Sequence, residues 1–91
     1  MKNPRFVERI LTPAEREYCR TPVQVAGRWA AKEAIAKALP LKLSWQDVSI
    51  LAGPDLKPVV RVTHPEFSGK VWVSITHERS MAAAVAVYER D

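Results

Sequence analysis

Residues 21–40 read TPVQVAGRWAAKEAIAKALP, and this stretch decides the fold. Thr21 is a residue type that caps helix N-termini, and Pro22 suits the first helical position because its missing N–H would be unpaired there anyway. Pro40 cannot continue a helix, since its ring clashes with the preceding turn. The stretch therefore predicts one long helix over about residues 22–39.

The predicted long helix carries distinct faces. One stripe is mostly small and would let another element approach closely; its members are Gly27, Ala31, Ala34, Ile35, Ala38 and Leu39. Arg28 and Lys32 are four residues apart on a second face. Glu33 and Lys37 are four apart on a third face, in the order that favours an ion pair.

Capping signals define both helices of the first half of the chain. Gln24 stands where a capping-box side chain reaches back to the cap of the long helix. The same arrangement occurs upstream, where Thr12 is the cap and Glu15 the residue that reaches back. A short helix over about residues 13–19 is therefore predicted before the long one.

The second half of the chain predicts strands. Apolar residues alternate or cluster in runs typical of strands at 48–51, 58–62, 71–76 and 81–88. Turn residues stand at Gly53-Pro54-Asp55, and the polar run His77–Ser80 is short enough to connect two antiparallel strands. We therefore expect a single α+β domain, in which an antiparallel meander packs on the long helix.

Composition limits the classes of function. The chain has 91 residues, of which 47% are hydrophobic and 26% charged, and it carries a net charge of +4. No run of residues predicts a membrane span or a signal-peptide core, and the single cysteine, Cys19, excludes an intrachain disulfide, so we expect a cytoplasmic protein. The positive charge suits an anionic partner such as a phosphorylated small molecule, an acidic protein or a nucleic acid.

Four segments, in order and with sensible spacing, resemble a known family. The run 27–38 resembles the Lys-Glu signature of phosphopantetheinyl transferases, and 73–78 resembles their Ser-Ile-Ser-His strand end, with Thr76 in place of the second serine. Residues 44–48 resemble the strand after the family's long helix, and 6–15 its Thr-Pro-Ala-Glu segment. The resemblance covers nearly the whole chain and points to the holo-(acyl-carrier-protein) synthases of this superfamily.

The resemblance implies a fold, an activity and partners. Members have a long helix packed on a small antiparallel sheet and assemble as homotrimers. They transfer 4′-phosphopantetheine from coenzyme A to a serine of an apo acyl carrier protein, release 3′,5′-ADP, and use Mg²⁺. The carrier proteins are generally acidic, which agrees with the basic charge of this chain. Fatty acid biosynthesis is the expected pathway, and a polyketide or other carrier is the alternative.

The resemblance also implies site residues. Glu33 and Lys37 would be catalytic, with Glu33 the magnesium ligand. The coenzyme contacts would be Arg28, Lys32, Lys37, Ser74 and His77. An ordinary surface ion pair between Glu33 and Lys37 is the alternative for the first pair, and solvated surface positions are the alternative for Arg28 and Lys32.

Two departures from the family fall on the expected substrate site. Family members begin with a strand that carries Gly-x-Asp, whose aspartate is a second magnesium ligand, and residues 1–6 correspond to positions just downstream of it. The family also has a glycine-rich loop after the long helix, whereas residues 40–44 contain no glycine. Weak metal binding and low turnover are therefore expected.

The alternative function is a non-catalytic homologue that binds coenzyme A or an acidic carrier protein. A third possible function, nucleic-acid binding, is supported by no motif in the sequence.

Overall fold

The computed structural model describes residues 4–53, 57–78 and 81–91. Within these residues three α-helices come first, a 3₁₀ turn follows, and four strands complete the order. The elements are α1 (Pro4–Ile10), α2 (Pro13–Tyr18), α3 (Pro22–Ala38), the 3₁₀ turn (Trp45–Asp47), β1 (Val48–Ala52), β2 (Pro58–Val62), β3 (Lys70–Glu78) and β4 (Met81–Glu89). The predicted α+β class is confirmed.

The long helix α3 begins at Pro22 as predicted and ends at Ala38, one residue earlier than expected. Thr21 Oγ1 accepts a hydrogen bond from the Gln24 N–H at 3.2 Å, and Gln24 Oε1 accepts from the Thr21 N–H at 3.1 Å, so the capping box is complete. Gly27, Ala31 and Ile35 are buried along the predicted stripe. This stripe packs on β3, β4 and β1, so α3 is the element on which both hairpins rest.

The upstream helices are partly as predicted. The capping box of Thr12 and Glu15 is present, and α2 ends at Tyr18, one residue earlier than expected. Helix α1 was not predicted. The side-chain amide of Gln46 donates to the carbonyl oxygens of Glu8 and Arg9 in the last turn of α1 and to that of Leu11 just beyond it, at 2.9–3.2 Å.

The strands form two antiparallel hairpins, and the single meander expected from sequence is not what the described residues show. Strand β1 pairs with β2, with Ile50 opposite Val60, and β3 pairs with β4, with Ser74 opposite Val85. Strands β2 and β3 lie side by side without strand pairing between them, and a cleft follows that boundary.

Two local predictions were wrong. His77 and Glu78 belong to β3, where they pair with Ala82 and Met81, and are not part of the connection; Arg79 and Ser80 lie outside the described residues. Residues 45–47, expected as the start of a strand, form a 3₁₀ turn because Asp47 binds back to Ser44 through its backbone N–H and its carboxylate. Of the predicted Gly53-Pro54-Asp55 turn, residues 54 and 55 also lie outside the described part.

Two apolar clusters hold the elements together. The larger joins α3 to both hairpins and comprises Ala31, Ile35, Leu39, Val48, Ile50 and Val73. The smaller comprises Ile10, Leu11, Cys19 and Val25, and the rings of Trp29 and Trp45 pack against it with centroids 4.7 Å apart. Among the described residues no helix has the length and apolar character needed to cross a membrane.

Candidate functional site

A cleft of about 500 Å³ lies between β2, β3 and the first half of α3. It brings together three residues that the sequence predicts as coenzyme contacts, Arg28, Ser74 and His77. Lys57 and Trp72 line the same cleft. The site therefore combines two cationic side chains with hydroxyl, imidazole and aromatic groups, which suits a ligand carrying phosphate and flat or apolar parts.

The imidazole of His77 lies directly against the backbone of α3 at Gly27. A Cβ atom placed on Gly27 would lie 2.7 Å from Cε1 of His77 and 3.3 Å from Cγ2 of Ile75. Glycine therefore lets the imidazole pack this closely against the helix, and a larger residue would push the imidazole aside. This contact places the imidazole of His77 on the side of the cleft that α3 forms.

Arg28 is half-buried and anchored by one of its nitrogens. Its Nε donates a hydrogen bond to the carbonyl oxygen of Ile50 at 2.8 Å. A guanidinium group has five N–H donors, and the four on the terminal nitrogens make no hydrogen bond within the part of the chain that the structure describes, so they can serve a ligand. Anchoring at Nε also restricts the plane of the group, which matters for paired hydrogen bonds to phosphate.

Glu33 and Lys37, the predicted catalytic pair, are exposed on α3. Neither is among the described residues that line the cleft. Within the described residues the structure shows no ion pair between them, so their carboxylate and ammonium groups are not engaged with each other. One protomer therefore presents the predicted site residues as two separate groups.

Lys32 is the predicted contact that the structure places elsewhere. Its side chain is 1% exposed, and its Nζ lies 2.6 Å from Oε1 of Glu15. It also donates hydrogen bonds to the carbonyl oxygens of Ile10 and Trp45. All three donors of the ammonium group are thus engaged by protein atoms, so Lys32 has no ammonium N–H left for the predicted coenzyme contact in this arrangement.

The buried carboxylate of Glu15 is satisfied in the same way. Oε1 accepts from the Thr12 N–H at 2.9 Å and Oε2 from the Ile50 N–H at 2.7 Å, in addition to the ion pair with Lys32. Burial lowers the pKa of the Lys32 ammonium group from its ordinary value, and the adjoining Glu15 carboxylate opposes that shift. The pair ties α2, α3 and β1 together.

A magnesium site would be minimal in one protomer. Among the described residues no group of three or more His, Cys, Asp or Glu side chains could hold a metal ion. Glu33 offers a single exposed carboxylate. Mg²⁺ commonly binds through one or two carboxylates together with substrate phosphates and waters, so Glu33 fits such a site only with a phosphorylated ligand present.

Sequence reasoning missed the partners of Arg28 and Lys32. Glu15 was interpreted only as a capping-box residue, and Lys57 was not singled out. A signal for burial of Lys32 does exist, because Lys32, Ile35 and Leu39 stand at the i, i+3, i+7 spacing of one helix face. Nothing local predicts which acid would pair with it, since Glu15 is on another helix.

The chain is similar to known proteins over nearly its whole length. The family model of the 4′-phosphopantetheinyl transferase superfamily matches residues 1–87. The chain is 44% identical over 92 residues to a holo-[acyl-carrier-protein] synthase of Chlorobaculum tepidum, covering 92% of this chain and 79% of the relative. It is 46% identical over 100 residues to that of Listeria innocua, covering 98% and 83%.

Solved structures show the same fold. A Helicobacter pylori holo-[acyl-carrier-protein] synthase in complex with coenzyme A superposes with a TM-score of 0.85 at 30% identity, covering 93% of this chain and 82% of that one. The holo-ACP-synthase of Plasmodium yoelii gives 0.81 at 29% identity, covering 96% and 79%. The described helices and hairpins are thus those of a known architecture.

Proposed function

Since the chain belongs to the 4′-phosphopantetheinyl transferase superfamily, we propose that it is a holo-(acyl-carrier-protein) synthase that transfers 4′-phosphopantetheine from coenzyme A to a serine of an apo acyl carrier protein. The observation that carries the proposal is the cleft in which Arg28, Ser74 and His77 meet. The cytoplasmic location expected from the sequence stays part of this proposal.

The cleft is the proposed coenzyme site. Arg28 and Lys57 would neutralise the phosphate groups, and Ser74 and His77 would supply hydrogen bonds. The exposed ring of Trp72 offers an apolar wall. In this assignment binding energy comes mainly from charge pairing in a half-enclosed cleft, where attraction exceeds that of fully solvated charges.

The proposed chemistry is one phosphoryl-group substitution. The serine oxygen forms a bond to the phosphorus that carries pantetheine, the pyrophosphate P–O bond breaks, 3′,5′-ADP leaves, and the serine proton passes to a base. Bound Mg²⁺ would neutralise charge on the pyrophosphate. On this chain Glu33 would hold the ion and Lys37 would contact a phosphate oxygen, so their exposure on α3 leaves both accessible to the coenzyme.

We propose further that the active form is a trimer. Arg28, Ser74 and His77 line the cleft, whereas Glu33 and Lys37 are not among its described lining residues, and a neighbouring copy could bring the two sets together. Exposed apolar side chains cover the face of the β3–β4 hairpin that points away from α3, namely Trp72, Val85 and Val87. An apolar face of this kind is typical of an interface between protein subunits.

The test is transfer to a purified apo carrier protein. The chain, coenzyme A and Mg²⁺ are mixed with an acidic apo carrier, and the mass gain of one phosphopantetheinyl group is followed by mass spectrometry. We expect modification that depends on all three components and falls at least about tenfold in Arg28→Gln. Coenzyme A binding without any mass gain would instead support the non-catalytic alternative.

A further inference from the structure

Two side chains hold the backbone of Ile50 in β1, one through its N–H and the other through its carbonyl oxygen. Its N–H donates to Oε2 of Glu15 at 2.7 Å, and its carbonyl oxygen accepts from Nε of Arg28 at 2.8 Å. The N–H and C=O of one strand residue point to the same edge of the strand, so Glu15 and Arg28 meet β1 at one place. They occupy there the positions that a neighbouring strand would take.

Glu15 in turn has no freedom to move. Its side chain is 0% exposed, and Lys32 and the Thr12 N–H bind its other oxygen at 2.6 and 2.9 Å. A chain of hydrogen bonds therefore runs from the Lys32 ammonium group through Glu15 and one residue of β1 to the guanidinium of Arg28. Each link joins groups that are buried or half-buried, where losing a partner is costly.

We propose that Glu15, together with Lys32, positions Arg28 for the coenzyme. The pair fixes Ile50, and Ile50 fixes the Nε of Arg28, so the four terminal N–H groups of the guanidinium stay directed for paired hydrogen bonds to phosphate. Glu15 and Lys32 act through Arg28 and touch no substrate. The identity of the ligand that Arg28 binds rests on the proposed function above. The orientation of Arg28 by the buried pair is independent of that function.

The consequence is preorganisation of the cation. A free arginine side chain loses rotamer freedom when it binds phosphate, and holding it beforehand reduces that cost. The ion pair would therefore improve coenzyme affinity without a contact of its own.

The first experiment measures Arg28 directly, without any ligand. The double variant Glu15→Gln, Lys32→Met removes both buried charges together, which avoids leaving one of them unpaired. The matched control, Glu17→Gln with Lys42→Met, makes the same charge changes at exposed positions. Exchange of the Arg28 Nε proton with water is followed by NMR. We expect it to accelerate about tenfold or more in the double variant and to stay unchanged in the control; equal exchange in all three proteins would overturn the inference.

The second experiment is a double-mutant cycle on coenzyme A affinity by calorimetry. The double variant should weaken binding about tenfold when Arg28 is present and less than about twofold in an Arg28→Gln background. An equal loss in both backgrounds would show that the pair acts by general destabilisation, and would overturn the positioning role.

The two failures are distinguishable. If the wild-type chain does not bind coenzyme A, the proposed function falls, and the Arg28 exchange experiment still decides the positioning role. If the double variant does not fold, amide exchange at Ile50 in wild-type protein and in Arg28→Gln decides it. The coupling predicts faster Ile50 exchange in Arg28→Gln, and equal rates would contradict it.

Discussion

At the scale of single residues, the buried lysine is the most demanding feature of this molecule. Lys32 is 1% exposed, and its ammonium group is paired with a carboxylate that is itself fully buried. Removing one partner of such a pair leaves an uncompensated charge in the interior. We therefore expect Lys32→Ala to lower the free energy of unfolding by about 3–5 kcal/mol, measured by urea denaturation. The exposed Lys42→Ala should change it by less than about 0.5 kcal/mol; similar losses for both would mean that Lys32 is not buried in solution.

A substitution at Gly27 should change coenzyme binding while leaving the stability of the fold nearly unchanged. Gly27→Ala removes a poor helix former from the middle of α3, which favours the helix by up to about 1 kcal/mol. The new Cβ would stand 2.7 Å from Cε1 of His77, so the imidazole must move. We expect weaker coenzyme A binding in calorimetry with a melting temperature that is little changed. Unaltered affinity would show that the position of His77 is not important for the coenzyme.

Glu33 decides how magnesium and coenzyme depend on each other. One carboxylate holds Mg²⁺ poorly alone, so metal and coenzyme should bind well only together. In wild-type protein we expect Mg²⁺ to tighten coenzyme A binding, and in Glu33→Gln we expect that gain to fall about tenfold. Glu66→Gln, which also removes an exposed carboxylate, is the control. The same Mg²⁺ effect in Glu33→Gln and wild type would rule out Glu33 as the ligand.

At the scale of elements, the long helix depends on its cap. Thr21 provides the acceptor for the N–H of Gln24, and Arg28 lies two turns further along α3. Thr21→Ala should cost about 1 kcal/mol of unfolding free energy, whereas Thr21→Ser, which keeps the hydroxyl, should cost much less. Both are measured by thermal denaturation. Equal losses would show that the methyl group of Thr21, rather than its hydrogen bond, stabilises the helix.

The elements also show how far the sequence predicts this fold. Helices α2 and α3 were predicted because their capping residues and prolines lie within a few positions of each other, so the signal is local. The 3₁₀ turn at 45–47 was not predicted, although the hydrogen bonds between Ser44 and Asp47 that hold it are also short in sequence, because residues 44–48 resemble a strand of the family. The separation of the strands into two hairpins was not predictable, since it depends on how each packs against α3.

The residues of the candidate site likewise differ in how far the sequence predicts them. Arg28, Ser74 and His77 were identified from motifs, and they lie in one cleft. The burial of Lys32 was not predicted because its partners, Glu15 and the carbonyl groups of Ile10 and Trp45, come from three different parts of the chain. A motif gives the residue type and spacing, whereas burial is set by the tertiary structure.

At the scale of the whole molecule, one apolar surface is left without cover in the single chain. Trp72, Val85 and Val87 are 51%, 67% and 54% exposed, and the strand register places Trp72 opposite Val87. The other faces of β3 and β4 pack in the core on α3. A domain this small buries a limited fraction of its own surface, so covering this face by self-association would add stability that the single chain lacks.

The last prediction follows from that surface. Val85→Lys with Val87→Lys places two like charges in the centre of the apolar face, where burial between subunits would be strongly unfavourable. We expect wild-type protein to elute with the mass of a trimer in size exclusion with light scattering, and the double variant as a monomer. Tyr18→Lys with Val23→Lys adds the same charges at exposed apolar positions of the helical half, so it should remain trimeric. A monomeric wild type at tens of micromolar would contradict the trimer, and dissociation in both variants would show that net charge rather than this face controls assembly.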